Sequence, residues 1–224
     1  MHLKTFPFSL TIIKLAAIAA TLLSVGACSS VYYDTMEKFG YEKRDILVSR
    51  VEDSRDAQSD AQETFRSALE RYQSVIDTPE SDLREKYEEV REAYEDSEEA
   101  AKEVSDRIAE VEDVADDLFD EWEDELDRYT NQQLRASSER QLGETRQQYE
   151  SLISRMQQTE ERMGPVLRAF EDQMLYLRHN LNAQSIGALE SELTQIRSDV
   201  DTLIRNMETS IAESEAFIQR LRSQ

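Results

Sequence analysis

Three groups of residues in this 224-residue chain have side chains that could do chemistry. Cys28 is the only cysteine, and it closes the apolar run Leu22-Leu23-Ser24-Val25-Gly26-Ala27. Its thiol could be acylated or oxidised, but with no second cysteine the chain can form no internal disulfide. His179, in Leu177-Arg178-His179-Asn180-Leu181-Asn182, is the only histidine besides His2. A single imidazole with no cysteine partner builds no zinc site of the usual kind. It would serve as a general base only beside a nucleophile, and no Gly-x-Ser-x-Gly elbow is present. The third group is the acidic run from Glu112 to Asp127, where clustered carboxylates could attract a divalent cation. The run lacks a Gly-turned loop, and a straight helix fans its carboxylates outward, so the expectation is a solvated helix face with loose counterion binding at most. No glycine-rich loop that would cradle a phosphate occurs. The expectation is therefore a non-enzyme with no catalytic residue, no metal ligand and no cofactor.

The elements that must carry these residues follow from composition. Lys4 and Lys14 precede an apolar stretch, and no acidic residue occurs before Asp34, so residues 1–27 have the layout of a secretory signal. No later stretch approaches the roughly 20 apolar residues of a spanning helix. The whole chain holds five glycines and three prolines, far fewer turn formers than usual, so the body, residues 28–224, is expected to be a single all-α domain of long helices. The formal net charge is −22, and residues 80–130 alone hold 23 acidic against 6 basic side chains. That balance argues against a nucleic-acid partner, whose phosphates need clustered Lys and Arg. It also argues against polybasic docking to anionic lipid.

Apolar spacing at alternating steps of three and four places the helices. The first seam reads Leu47, Val51, Ser54, Gln58, Ala61, Phe65, Ala68, Tyr72, Val75, ahead of a stop and restart at Asp77-Thr78-Pro79-Glu80. Thr78 suits a cap and Pro79 a first helical position. The second runs from Leu83 to Tyr129 through Val90, Val104, Ile108, Val111, Ala115, Leu118 and Trp122. Twelve of its 14 positions are apolar in a chain that is 39% apolar. It resumes one residue out of phase at Leu142, Thr145, Tyr149, Leu152, Met156, Thr159 and Met163. Gly164-Pro165 has the chemistry of a helix end followed by a new start. A last seam then runs from Val166 through Phe170, Leu177, Leu189, Ile196, Val200, Leu203, Met207 and Phe217 to Leu221.

These signals predict an elongated antiparallel coiled-coil bundle of three long helices, over about 31–76, 80–163 and 165–222. Reversal at Pro79 sets Val51 opposite Ile108. Reversal at Gly164 sets Val111 near Phe217 and brings Gly143 to Gly187, where a hinge or a close helix contact is expected. Cysteines placed at 145 and 184 should then crosslink.

The ending Val25-Gly26-Ala27-Cys28 resembles the lipobox of bacterial lipoproteins. That resemblance implies that the Cys28 thiol is lipidated and becomes the first residue of a membrane-anchored protein. The alternative is an ordinary signal cut near Ala27, leaving a free thiol. Ser29 stands where retention in the inner membrane typically wants Asp, so the resemblance implies the inner leaflet of the outer membrane, facing the periplasm. Tyr32 and Tyr33 lie where aromatic rings favour a membrane interface or pack as ordinary helix residues.

Several stretches together resemble a bacterial lipoprotein family catalogued as a domain of unknown function, DUF2959. They are Val31-Tyr32-Tyr33 through Glu37-Lys38-Phe39-Gly40 with Lys43 to Val48, then Leu118 to Trp122, Pro165-Val166-Leu167, and Leu177 to Ala183. The resemblance spans essentially the body of the chain and implies a helical envelope protein with no assigned activity. Candidate partner contacts are Lys43, Arg44 and Asp45 in one segment and Arg178, His179, Asn180 and Asn182 in the other. The leading expectation is a non-enzymatic scaffold or spacer that binds another envelope protein. A self-associating structural protein (a homo-oligomer) and a weak divalent-cation-binding stress protein are the alternatives.

Overall fold

A long apolar stripe on a helix must be covered, and in this chain each of four helices covers its neighbours. The computed structural model describes residues 43–76, 83–180 and 183–223. Four helices occupy them: α1 (Lys43–Ile76), α2 (Leu83–Leu126), α3 (Gln132–His179) and α4 (Ala183–Arg222). They are 34, 44, 48 and 40 residues long, about 50–70 Å each at 1.5 Å per residue. Among the described residues there is no strand.

Pairs between side chains give the topology. Arg50 meets Glu110 at 3.2 Å and Arg71 meets Glu92 at 3.6 Å, so α1 and α2 are antiparallel. Arg146–Glu123 and Gln157–Glu112 orient α3 against α2, and Arg220–Gln148 and Arg155–Glu213 orient α4 against α3. Arg222–Glu52 and Gln62–Glu208 close the ring between α4 and α1. The result is an up-down-up-down four-helix bundle with a core closed within its own four helices.

All nine seam positions expected in α1 are buried. Phe65, Phe170 and Phe217 are fully enclosed, each contributing about 1.5–3 kcal/mol by leaving water. Across the core, Phe170 of α3 stacks on Tyr72 (ring centroids 4.6 Å) and Phe65 (6.2 Å) of α1. Seven seam positions are buried but polar, among them Ser54, Gln58, Thr159 and Ser214. Thr159 and Ser214 each donate a hydroxyl to the carbonyl four residues back. Gln58 donates to Ser54 Oγ, and its own Oε1 has no partner in the chain. A polar side chain at a seam position costs stability and disfavours shifted pairings of the helices.

The three-helix expectation is corrected at two places, inside its second helix and at Gly164-Pro165. The helix expected over 80–163 stops at Leu126, and residues 127–131 turn the chain. Asn131 caps α3, its Oδ1 accepting from the backbone N–H of Gln133 (2.9 Å) and Leu134 (3.2 Å), worth ~1 kcal/mol. The phase slip between Tyr129 and Leu142 is thus a reversal and not a bend. The reversal expected at Gly164-Pro165 does not occur: both residues lie inside α3. Met163, Val166 and Phe170 continue the buried stripe across them, and Pro165 is on the exposed face, where its missing N–H costs least.

The pairing of residues 143 and 187 falls with that boundary. Gly143 lies early in α3, Gly187 early in α4 beyond the far end of α3, and a Cβ added to either meets nothing within 4 Å. Positions 145 and 184 are separated by most of α3, about 50 Å, so the expected crosslink is withdrawn. The α1–α2 register expected from Pro79 agrees with the Arg50–Glu110 pair, although Asp77-Thr78-Pro79-Glu80 themselves lie outside the described residues.

Candidate functional site

The bundle carries the two sequence-flagged segments to opposite ends. Lys43, Arg44 and Asp45 begin α1, beside the end of α2 and the α2–α3 turn. Arg178, His179 and Asn180 finish α3, one helix length away, about 70 Å. The fold does not bring the two segments together. Cys28, Tyr32, Tyr33, Lys38 and Asn182 lie outside the described residues.

At the Lys43 end, two of the flagged stretches meet through two contacts. Lys43 Nζ pairs with Glu121 Oε2 at 2.8 Å, a partly exposed bridge worth under ~1 kcal/mol. The Arg44 guanidinium lies over the Trp122 ring, 5.3 Å from its centroid, and Arg44 Nε is buried without a hydrogen-bond partner. The stretches Lys43–Val48 and Leu118–Trp122 are thereby joined. Trp122 also reaches α3, its indole N–H donating to Ser138 Oγ at 2.8 Å. Beside it, Arg146 pairs with Glu123 at 2.6 Å and lies 5.0 Å from the Phe119 ring centroid. Phe119 packs edge-on against Tyr149 at 5.4 Å. Burial raises the Tyr149 phenol above its ordinary range, and the carboxylates of Glu112 and Asp116 add to the rise. Asp45 is exposed. Arg146 and Ser138 were missed from sequence, and Tyr149 was placed on a seam but not against Phe119. Their only signal was the resumed seam at Leu142, Thr145 and Tyr149, which needs the reversal at 127–131 before it points back at Phe119.

The Asn180 end is built from a helix terminus. Arg178 and His179 are exposed in the last turn of α3, where positive charge complements the helix dipole. Asn180 ends the helix: its backbone N–H donates to Leu177 O at 3.1 Å and its Nδ2 to Tyr176 O at 2.9 Å. Leu177 is buried, whereas Leu175 and Tyr176 are 41% and 37% exposed. Beneath them, Tyr72, Val75, Ile76, Gln173, Leu177 and Leu189 surround a void of about 10 Å³, at the lower limit for one water. Tyr72 donates its hydroxyl to Phe170 O at 2.7 Å. Burial pushes its phenol well above the usual range, with Tyr94 adding to the shift.

Between the ends, the acidic residues of α2 are spread along the helix, and some of them pair with bases. Arg91 joins Glu88 and Glu95, Arg107 joins Glu103 and Glu110, and Lys102 pairs with Asp106. Among the described residues no group of three or more His, Cys, Asp or Glu side chains is placed to hold a metal ion. Two open grooves between α1 and α2, of about 530 and 300 Å³, are floored by alanines such as Ala61, Ala68 and Ala93 and rimmed by carboxylates. No described helix is long and apolar enough to cross a membrane. What the arrangement offers chemically is surface: ion pairs, stacked cations and exposed apolar side chains at two separated ends. Neither the curated proteins nor the solved structures contain a match to this chain. A family model described as protein of unknown function (DUF2959) matches residues 32–221, and the chain belongs to that family.

Proposed function

We propose that this protein is a lipid-anchored envelope scaffold, tethered through Cys28 to the inner leaflet of the outer membrane, whose helical bundle carries a protein-binding end away from the bilayer. The observation that supports it best is the separation of the two flagged segments. The segment that continues from the anchor motif, Lys43–Asp45, is at one end of the bundle, and Arg178 and His179 are exposed at the other beside half-buried Asn180. A bundle of this kind works as a spacer because packed antiparallel helices resist bending and hold the two ends about 70 Å apart. The far end carries exposed Leu175 and Tyr176 beside Arg178 and His179, and residues 173–189 contain no carboxylate side chain. This surface suits an envelope protein that offers an acidic patch with an apolar centre.

The anchor is tested by Cys28→Ser. The variant should leave the membrane fraction and stay folded by circular dichroism; a variant that still sediments with membranes removes the anchor from the reading. The far end is tested with a photo-crosslinking residue at Asn180 in cells. A discrete protein adduct lost on Arg178→Glu is expected, and an adduct pattern indifferent to that change counts against the partner surface.

A further inference from the structure

The Lys43 end carries a surface that the packing of the bundle does not use. The α2–α3 turn exposes two large apolar side chains within six residues, Tyr129 at 38% and Leu134 at 57%. Arginines bracket them: Arg128 stands before Tyr129 and Arg135 follows Leu134. Residues 128–138 hold these two arginines and no carboxylate, in a chain of net charge −22. The nearest carboxylate, Asp127, is already held by Arg135 Nη2 at 3.1 Å, and Glu123 is held by Arg146. A second copy of this acidic chain would be repelled from such a surface by the charge on the rest of its body.

We infer that the turn from Arg128 to Arg135 rests on the bilayer surface, Tyr129 and Leu134 entering the headgroup region while the two arginines meet lipid phosphates. This extends the anchor reading and depends on it. Only fifteen positions separate Cys28 from Lys43, and Lys43 is clasped to Glu121, a few residues before the same turn. Fifteen residues reach at most about 50 Å, so a lipid on Cys28 keeps the membrane within range of this end. The opposite end carries exposed Leu175 and Tyr176 but begins about 70 Å further along α3. Asp124 and Glu125, exposed one turn earlier, oppose anionic headgroups. The contact is therefore weak in free solution and is made effective by the tether, which supplies a high local concentration. Tyr at the interface and Arg on phosphate are the side chains such a surface selects.

The test uses the chain from Cys28 onward, with its single thiol coupled to a maleimide phospholipid in phosphatidylethanolamine–phosphatidylglycerol vesicles. Acylation by a cell is then not required, so failure of this inference is distinct from failure of the anchor, which the Cys28→Ser fractionation reports. Tryptophan is introduced by Leu134→Trp or, separately, by Leu175→Trp, both at exposed positions. Buried Trp122 supplies the baseline. With brominated acyl chains, L134W should lose about half or more of its added emission while L175W loses none, as expected for an interfacial side chain. Tyr129→Trp repeats the measurement should L134W fold poorly. Absence of quenching in both L134W and Y129W overturns the inference. Equal quenching of L134W and L175W overturns it as well, because the bundle would then lie flat.

Discussion

The two ends of the bundle are closed in different ways. At the Lys43 end, polar and charged side chains reach from helix to helix: Arg44 to Trp122, Trp122 to Ser138, Arg146 to Glu123 and Phe119. At the Asn180 end, rings and aliphatic side chains do the work. Tyr72 stacks on Phe170 above Val75, Leu177 and Leu189, and its phenol hydroxyl adds a buried cross-helix hydrogen bond. The difference teaches that a regular seam specifies a core without specifying how its ends are sealed. The Lys43 end has a hydrogen-bonded rim. The far end packs Tyr72, Phe170 and Leu177 in the core and leaves Leu175, Tyr176, Arg178 and His179 outside.

The sharpest way to break this comparison is to remove one ring from each end. Trp122→Ala and Phe170→Ala should each cost roughly 3–5 kcal/mol in urea unfolding, since both rings are buried and bridge helices. If either costs under ~1 kcal/mol, that end is not sealed as described.

Pro165→Ala should stabilise the chain by about 1–3 kcal/mol in the same measurement, because a proline inside α3 forfeits a backbone hydrogen bond. A loss of stability would restore the turn at Gly164-Pro165 and undo the assignment of ends.

Tyr72→Phe removes a buried hydrogen bond of the apolar end. It should cost about 0.5–1.5 kcal/mol at neutral pH through the lost bond to Phe170 O. The same variant should flatten alkaline unfolding. Burial keeps the Tyr72 phenol protonated in the fold, whereas the unfolded chain releases that proton near pH 10.0. The unfolded state thus binds fewer protons above that pH, and stability falls as pH rises. Removing the phenol should reduce the fall, and Tyr149 keeps the remainder of it. An unchanged alkaline limb would place Tyr72 in water.

The smallest effects come from Gly143→Ala near one end and Gly187→Ala near the other. An added methyl group meets nothing within 4 Å at either site, so each should gain about 0.5–1 kcal/mol from helix propensity alone. A destabilising change at either glycine, seen as a lower urea midpoint, would reveal a close approach there.

Much of the packing was legible along the chain. All nine expected seam positions of α1 are buried, and so are nine of the twelve from Leu83 to Trp122, with Tyr87, Tyr94 and Ala101 half-buried; beyond them Leu126 is buried and Glu125 exposed. Extending the Pro79 register to the helix ends already sets Lys43 within about a turn of Glu121. Helix number was not legible by the same means, because Gly and Pro are local signals and the seam is a longer-range one. At Gly164-Pro165 the two conflict, and burying Met163, Val166 and Phe170 in one stripe outweighs the backbone penalty. At residues 127–131 the chain reverses without glycine or proline, and Asn131 was the only local sign. Arg146 and Ser138 could not be placed until that reversal was known.

By itself the sequence determined an all-α chain with heptad-spaced seams, the acidic face of α2, the family, and the single thiol at position 28. Apart from the family, which rests on resemblance, these are read from residue type and from a period of 3.5, which are properties of one helix at a time. Tertiary structure alone decided that the described residues form four helices, which residues turn, and that the flagged segments stand at opposite ends. The reason is that a seam records only that a face is buried; the partner that buries it is chosen by closing the whole core at once.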